Sequence, residues 1–217
     1  MKRGLFITFE GGEGSGKSTQ ARLLADALKK RGIPVVHTRE PGGTSIAESV
    51  RKVLLNPASR IAPLTELLLY EAARAQHLAE VVVPALRVGR TVICERYTDA
   101  TEAYQGYGRG LDPRTIKTLN TIATDGLLPD LTFLLDVPVK RGLSTARRLA
   151  KRLSHRAPRA NGGDRMERES SSFHGRVRQG YLRMARENKR RIRVIPWGGT
   201  IEQVQTRILS EVDTLHD

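Results

Sequence analysis

Residues dominated by apolar side chains gather into five short runs: Leu5–Phe9, Val35–Thr38, Thr91–Cys94, Leu131–Leu135 and Arg193–Ile195. Such runs read as strands buried on both faces. Between them, apolar positions recur at helical spacing, which predicts helices over Lys17–Arg31, Ser45–Leu55, Leu64–Arg87, Pro113–Asp125, Val139–Arg152, Ser170–Arg190 and Ile201–Leu215. Strand alternating with helix predicts an α/β fold: a parallel sheet covered on both faces, with ligands at the carboxyl ends of its strands. No repeat or second core is visible. One segment, Ser154–Asp164 (SHRAPRANGGD), cannot continue a helix because of its Pro, Asn and paired glycines.

Composition narrows the class. The 217 residues suit one domain with a large core. No run of about 18 apolar residues suggests a membrane span. Met1-Lys2-Arg3-Gly4 leads straight into the first strand, leaving no room for a cleavable leader, and the lone Cys94 fits a reducing compartment; a cytoplasmic protein is expected. Cys94 itself reads as a small residue on a buried strand. The net charge of +14 is regional: residues 140–193 hold 18 Lys and Arg against 4 Asp and Glu. A basic excess can mark nucleic-acid binding, but only Phe173 and Tyr181 supply aromatics there, so no stacking platform is expected. The excess reads more simply as a lid over polyphosphate together with a solvated helix face.

The first strand runs into GGEGSGKS, residues 11–18, an uninterrupted phosphate-binding loop followed by a helical stretch. Gly11, Gly12, Glu13, Gly14, Ser15 and Gly16 form a turn whose backbone N–H groups can face phosphate oxygens, and Lys17, Ser18 and Thr19 open the helix. Lys17 supplies a mobile positive charge near the β- and γ-phosphates of a nucleoside triphosphate, and the Ser18 hydroxyl is placed to hold Mg2+.

Three later strings speak to the reaction: TREPGGT at 38–44, LLYEAARAQ at 68–76 and ERYTDATEAYQGYGRG at 95–110. The first puts Arg39 at the carboxyl edge of the sheet. The last puts an acid, Glu95, beside a phosphate-clamping Arg96, and Glu95 reads either as a metal-side carboxylate or as an ion-pair partner of Arg96 or Lys17. Taken with the phosphate loop, this ordered set of motifs resembles the thymidylate kinases over nearly the whole chain.

The resemblance implies a P-loop nucleoside monophosphate kinase fold, with a central parallel five-stranded sheet, helices on both faces and a lid over residues 152–168 of a single 1–217 domain. It implies ATP-dependent phosphorylation of dTMP to dTDP and a homodimer, while the residues themselves offer no membrane span and argue against nucleic acid as a partner. Glu13 would lie near the deoxyribose 3′-hydroxyl, and Arg39 and Arg51 near the dTMP phosphate. Tyr70 would stack on thymine, Arg74 would donate to its O4, Gln105 would meet the ring edge and Thr101 a neighbouring position. Lys17, Arg96 and a lid arginine would carry catalysis. The phosphate loop has no arginine, which resembles the members that supply it from the lid; Arg165 in DRMERES is the first choice, with Arg147 and Arg152 next and Arg156 and Arg159 in an apparent insertion. Ser18 would ligate the metal directly and Glu95 through water. Three residues depart from the usual pattern: Glu95 stands for Asp, Ala100 for Ser and Tyr70 for Phe. Two alternatives remain at this point, another nucleotide kinase of the same fold and a nucleotide-dependent nucleic-acid-binding protein.

Overall fold

The computed structural model describes residues 3–154 and 163–215. Strands β1 (Phe6–Glu10), β2 (Val35–Arg39), β3 (Thr91–Glu95), β4 (Leu131–Asp136) and β5 (Ile192–Pro196) form one sheet in the order β2-β3-β1-β4-β5. Every neighbouring pair is parallel. The helices are α1 (Lys17–Lys30), α2 (Ser45–Leu55), α3 (Pro63–His77), α4 (Val83–Arg87), α5 (Thr98–Thr101), α6 (Pro113–Thr124), α7 (Val139–Ser154), α8 (Ser171–Glu187) and α9 (Ile201–Asp213). The α/β expectation holds.

Strand periodicity divides the core. Ile7, Phe9, Ile93, Phe133 and Ile195 face Leu24 and Leu28 of α1 and Ile208 and Val212 of α9. On the other side, Phe6, Val92 and Cys94 meet Leu78, Val82 and Leu86, while Leu134 meets Phe173, Val177 and Tyr181 of α8. Thr8 and Thr132, also buried, satisfy one another through their hydroxyls at 2.7 Å.

Two differences from the expected elements have identifiable causes. The single helix predicted over Leu64–Arg87 is interrupted by a π-helical turn, Leu78–Val82, between α3 and α4. Pro84 lacks an N–H, and its ring would strike the carbonyl four residues back in a regular helix, so the wider turn accommodates it. Conversely, α5 and a π-helical run over Glu102–Gly108 occupy a region where no helix is expected. Gly108 argues against helix by propensity, yet a Cβ there would come within 2.6 Å of the Phe173 ring. Close packing of α8 selects that glycine.

The apolar runs end one residue short of β1, β2, β3 and β4, because the last residue of each is charged: Glu10, Arg39, Glu95 and Asp136. All four lie along the carboxyl edge, where the functional side chains collect. Of the 152–168 lid segment, residues 155–162, including Arg156 and Arg159, lie outside the described residues.

Candidate functional site

With β1 between β3 and β4, the phosphate loop emerges at the middle of the carboxyl edge. Gly14 has φ 63°, and a Cβ on it would lie 2.1 Å from the Gly142 carbonyl of α7, so glycine is required both for the turn and for the approach of that helix. No side chain caps the N-terminus of α1, leaving the N–H groups of Lys17, Ser18 and Thr19 directed at the loop. Lys17 Nζ donates to the Gly11 and Gly12 carbonyls at 3.0 and 2.8 Å and to Ser15 Oγ at 3.3 Å. Burial, reinforced by Arg96, lowers its pKa to about 8 against the opposing pull of Glu13, Glu10 and Glu95.

Beside the loop, Ser18 Oγ donates to Glu95 Oε2, and His37 Nε2 lies 3.1 Å from Glu95 Oε1. Burial would raise the Glu95 carboxyl, but the hydrogen bonds from His37 and Ser18 outweigh it and hold it below the ordinary value. A hydroxyl and an ionised carboxylate therefore converge on one point, a set of hard oxygen donors that fits Mg2+. Glu95 forms no ion pair with Arg96; the arginine turns instead to Glu13, with Nη2 to Oε1 at 2.7 Å. Tyr104 donates its hydroxyl to the same oxygen at 2.8 Å and lies under the Arg96 guanidinium, 4.8 Å from ring centroid to Cζ. Burial would raise the Glu13 carboxyl, yet Arg96 and Lys17 hold it at about 2.

A cavity adjoins the loop. Glu13, Arg51, Tyr70, Arg74, Arg96, Thr101 and Gln105 line it, together with Glu40, Pro41, Leu55, Ala100, Tyr104, Asp164 and Met166. The residues assigned to an acceptor from sequence therefore meet around one space, Arg39 excepted. Arg39 is exposed and paired with Glu48 at 2.7 Å just outside the wall. Arg51 donates to the Pro41 carbonyl at 2.8 Å; burial first, and then Arg39, lower its pKa. Tyr70 and Arg74, one turn apart on α3, both reach the cavity.

The guanidinium of Arg74 is fully committed. It donates through Nε to Glu40 (2.8 Å), through Nη1 to Glu71 (2.7 Å) and Asn120 (2.9 Å), and through Nη2 to the Tyr97 carbonyl (3.0 Å) and Thr101 (2.9 Å). These use all of its N–H groups.

Arg165 is not brought to the phosphate loop. Its Nε donates to the Leu54 carbonyl at 2.7 Å, its Nη2 pairs with Glu66 at 2.6 Å, and it does not line the cavity. Arg147 and Arg152 on α7 are exposed. The basic excess also proves partly structural: Arg178 grips Asp136 and Arg191 grips Asp99, each with two hydrogen bonds of 2.6–2.9 Å.

Several site residues were not singled out from sequence. Glu10, buried at the end of β1, accepts from the Tyr97 N–H and the Tyr181 hydroxyl, both at 2.7 Å. Burial, then Asp99, raises its pKa to about 7. An acid immediately before the phosphate loop is the signal that could have found it. Glu40, Glu66, Tyr104 and Asp164 likewise go beyond the sequence expectation. Tyr104 sits within the quoted AYQ string, whereas nothing local marks Glu66.

Comparison with known proteins agrees with this geometry. The family model described as thymidylate kinase matches residues 9–208. The chain is 50% identical to the thymidylate kinase of Geotalea uraniireducens over 212 residues, 96% of each chain. It is 51% identical to that of Gloeobacter violaceus over 209 residues, covering 96% of this chain and 94% of the relative. A crystal structure of thymidylate kinase from Ehrlichia chaffeensis superposes with a TM-score of 0.76 at 36% identity, covering 97% of this chain and 99% of that one. The phosphate loop, the Glu13–Arg96 pair, the adjoining cavity and these similarities over nearly the full length agree: the chain belongs to the thymidylate kinase family.

Proposed function

We propose that the protein transfers the γ-phosphoryl group of ATP in line to the 5′-phosphate of dTMP, with the ATP phosphates on the 11–19 loop and the nucleoside in the cavity lined by Tyr70, Arg74 and Gln105. The observation that carries this reading is the position of Glu13, which belongs to the phosphate loop and also lines the acceptor cavity. Donor and acceptor would meet there. Thymine would stack on Tyr70, Arg51 and Arg39 would bind the monophosphate, and Thr101 and Glu13 would flank the sugar.

A phosphate acceptor is already anionic, so no strong base is needed; positioning and charge neutralisation supply the catalysis. Lys17 brings a cation to the phosphate loop and Arg96 one to the cavity beside it. Arg165, as placed, anchors the base of the lid to α2 and Glu66, and it would reach the transferred group only by leaving Glu66. Mg2+ would be held by Ser18 directly and by Glu95 through water, and would supply neutralisation of the phosphate charge. The family resemblance supports a homodimer. A cytoplasmic location rests on the sequence; among the described residues no helix is long and apolar enough to cross a membrane.

The test is ADP release from ATP with no acceptor, with each of dTMP, dUMP, dCMP and dGMP, and with polynucleotide. Slow release that dTMP stimulates strongly is expected. Stimulation by polynucleotide and not by dTMP would replace the kinase reading with a nucleic-acid one.

A further inference from the structure

Resting on the dTMP reading above, we propose that Glu66 is a specificity-positioning residue: it locks the Gln105 side-chain amide so that its carbonyl oxygen, and not its NH2, is presented to the nucleobase.

Glu66 lies on α3 with no exposed surface and does not line the acceptor cavity. Gln105, only 1% exposed, lies between Glu66 and that cavity, and its Nε2 donates to Glu66 Oε1 at 2.8 Å. The amide could in principle be turned over, since its two ends are nearly isosteric. Here it cannot. Arg109 donates to both Glu66 oxygens at 3.1 and 3.0 Å, and Arg165 pairs with Oε2 at 2.6 Å, so the carboxylate is ionised and can only accept. Burial would raise its pKa, but the hydrogen bonds from Arg109 and Gln105 bring it below the ordinary value. A flipped amide would set oxygen against oxygen at hydrogen-bond distance in a buried place and leave the NH2 without its acceptor. Among the described residues, none donates to Gln105 Oε1. The Gln105 backbone is also held, its carbonyl accepting from Leu111 N at 3.1 Å.

An acceptor fixed in this way selects bases by hydrogen polarity. Thymine and uracil carry a donor, N3–H, where cytosine carries an acceptor, N3. Arg74 cannot make this distinction with a free donor, because each of its N–H groups already has a protein acceptor. Gln105 Oε1 reads the N3 position, and Glu66 maintains its orientation from behind the wall.

Replacing Glu66 by Gln makes the amide pair reversible, since the new NH2 can donate to Gln105 Oε1 and release the Gln105 NH2 to the cavity. Glu66→Gln should narrow the dTMP:dCMP ratio of kcat/KM roughly tenfold or more, on the scale of a lost polar discrimination, while leaving dTMP:dUMP unchanged. In a Gln105→Leu background the same substitution should narrow it no further. A loss of destabilised protein alone would lower all three acceptors together. A dTMP:dCMP ratio that stays constant in folded Glu66→Gln overturns the proposal. Should Glu66→Gln fail to fold, side-chain NMR of the unsubstituted protein decides. The Gln105 NH2 protons, identified by their loss in Gln105→Leu, should stay hydrogen-bonded and nearly unshifted when dTMP binds; protons that move to dTMP contradict it. Failure of the unsubstituted enzyme to phosphorylate dTMP would instead defeat the function reading, so the two failures are distinct.

Discussion

Arg96 stands at φ 68° while its guanidinium pairs with Glu13 at 2.7 Å, so a strained backbone aims a cation at the phosphate loop from the neighbouring strand. A left-handed residue other than glycine costs on the order of 1–2 kcal/mol. Two backbone contacts hold it: Arg96 N donates to the Phe9 carbonyl at 2.9 Å, and Tyr97 N donates to Glu10 at 2.7 Å.

Arg96→Ala and Lys17→Ala should each reduce the single-turnover transfer rate by about 10²-fold or more, the scale of a lost charge contact in the transition state. Rapid-quench assays with saturating ATP and dTMP measure it. With the Lys17 pKa lowered to about 8, the ammonium is charged below that value, so kcat/KM for ATP should fall as pH rises through about 8. A flat profile between pH 7 and 9 would contradict that assignment.

Stability should respond to Glu10. Its folded pKa, about 7, lies above the ordinary 4.5, so the folded state binds the proton more tightly and this carboxyl destabilises the fold as pH rises from about 4.5 through about 7. Glu10→Gln keeps an acceptor for Tyr97 N and removes the titration. Urea midpoints at pH 5 and 7.5 should therefore differ less in Glu10→Gln than in the unsubstituted protein; equal differences would show that Glu10 does not titrate in this window.

Arg165→Ala separates anchoring from catalysis. Removing the lid-base contacts to Glu66 and Leu54 should lower the thermal midpoint and raise KM for dTMP, with a smaller effect on the transfer rate than Arg96→Ala. Equal rate losses in the two variants would mean that Arg165 leaves Glu66 to reach the phosphoryl group during turnover.

Arg74→Ala would leave Glu40 and Glu71 buried without their cation, at a cost of about 3–5 kcal/mol. Arg74→Lys should recover little, since an ammonium cannot reproduce the planar fork. Equilibrium denaturation is the readout, and a loss under about 1 kcal/mol would show that the network is not what holds this corner together.

Glu95→Gln keeps the shape at the Ser18 contact and removes the charge proposed to hold the metal's water shell. The Mg2+ concentration for half-maximal rate should rise several-fold, with activity largely regained at high Mg2+. An unchanged Mg2+ dependence would leave Glu95 as a partner of Ser18 and His37 alone.

What could be read along the chain was what neighbouring residues decide together. Gly11 through Thr19 form a phosphate-binding turn because the glycines and the helix start are contiguous, and the strand runs follow from uninterrupted apolar stretches. Tyr70 and Arg74 share a helix face, so their meeting in one cavity was likewise a local matter. Helix continuity departs from the sequence expectation around Pro84, whose ring forces a wider turn, and around Gly108, where packing against the distant Phe173 decides.

Tertiary structure alone decided which charges are free. Glu95 and Arg96 are adjacent in sequence, yet the strand end sends one to Ser18 and the other to Glu13, which are 77 and 83 residues away from them. Arg165 went to Glu66, and Arg74's donors went to four partners outside α3 as well as to Glu71 on α3 itself. Gln105 was legible as a binding residue, but the direction of its amide was not, because a carboxylate 39 residues earlier sets it. The physical reason is common to all of these: a buried hydrogen-bonding group must take whichever partner the packed elements bring within reach, and that partner is chosen by sheet order and helix packing, not by the residue's own neighbours in the chain.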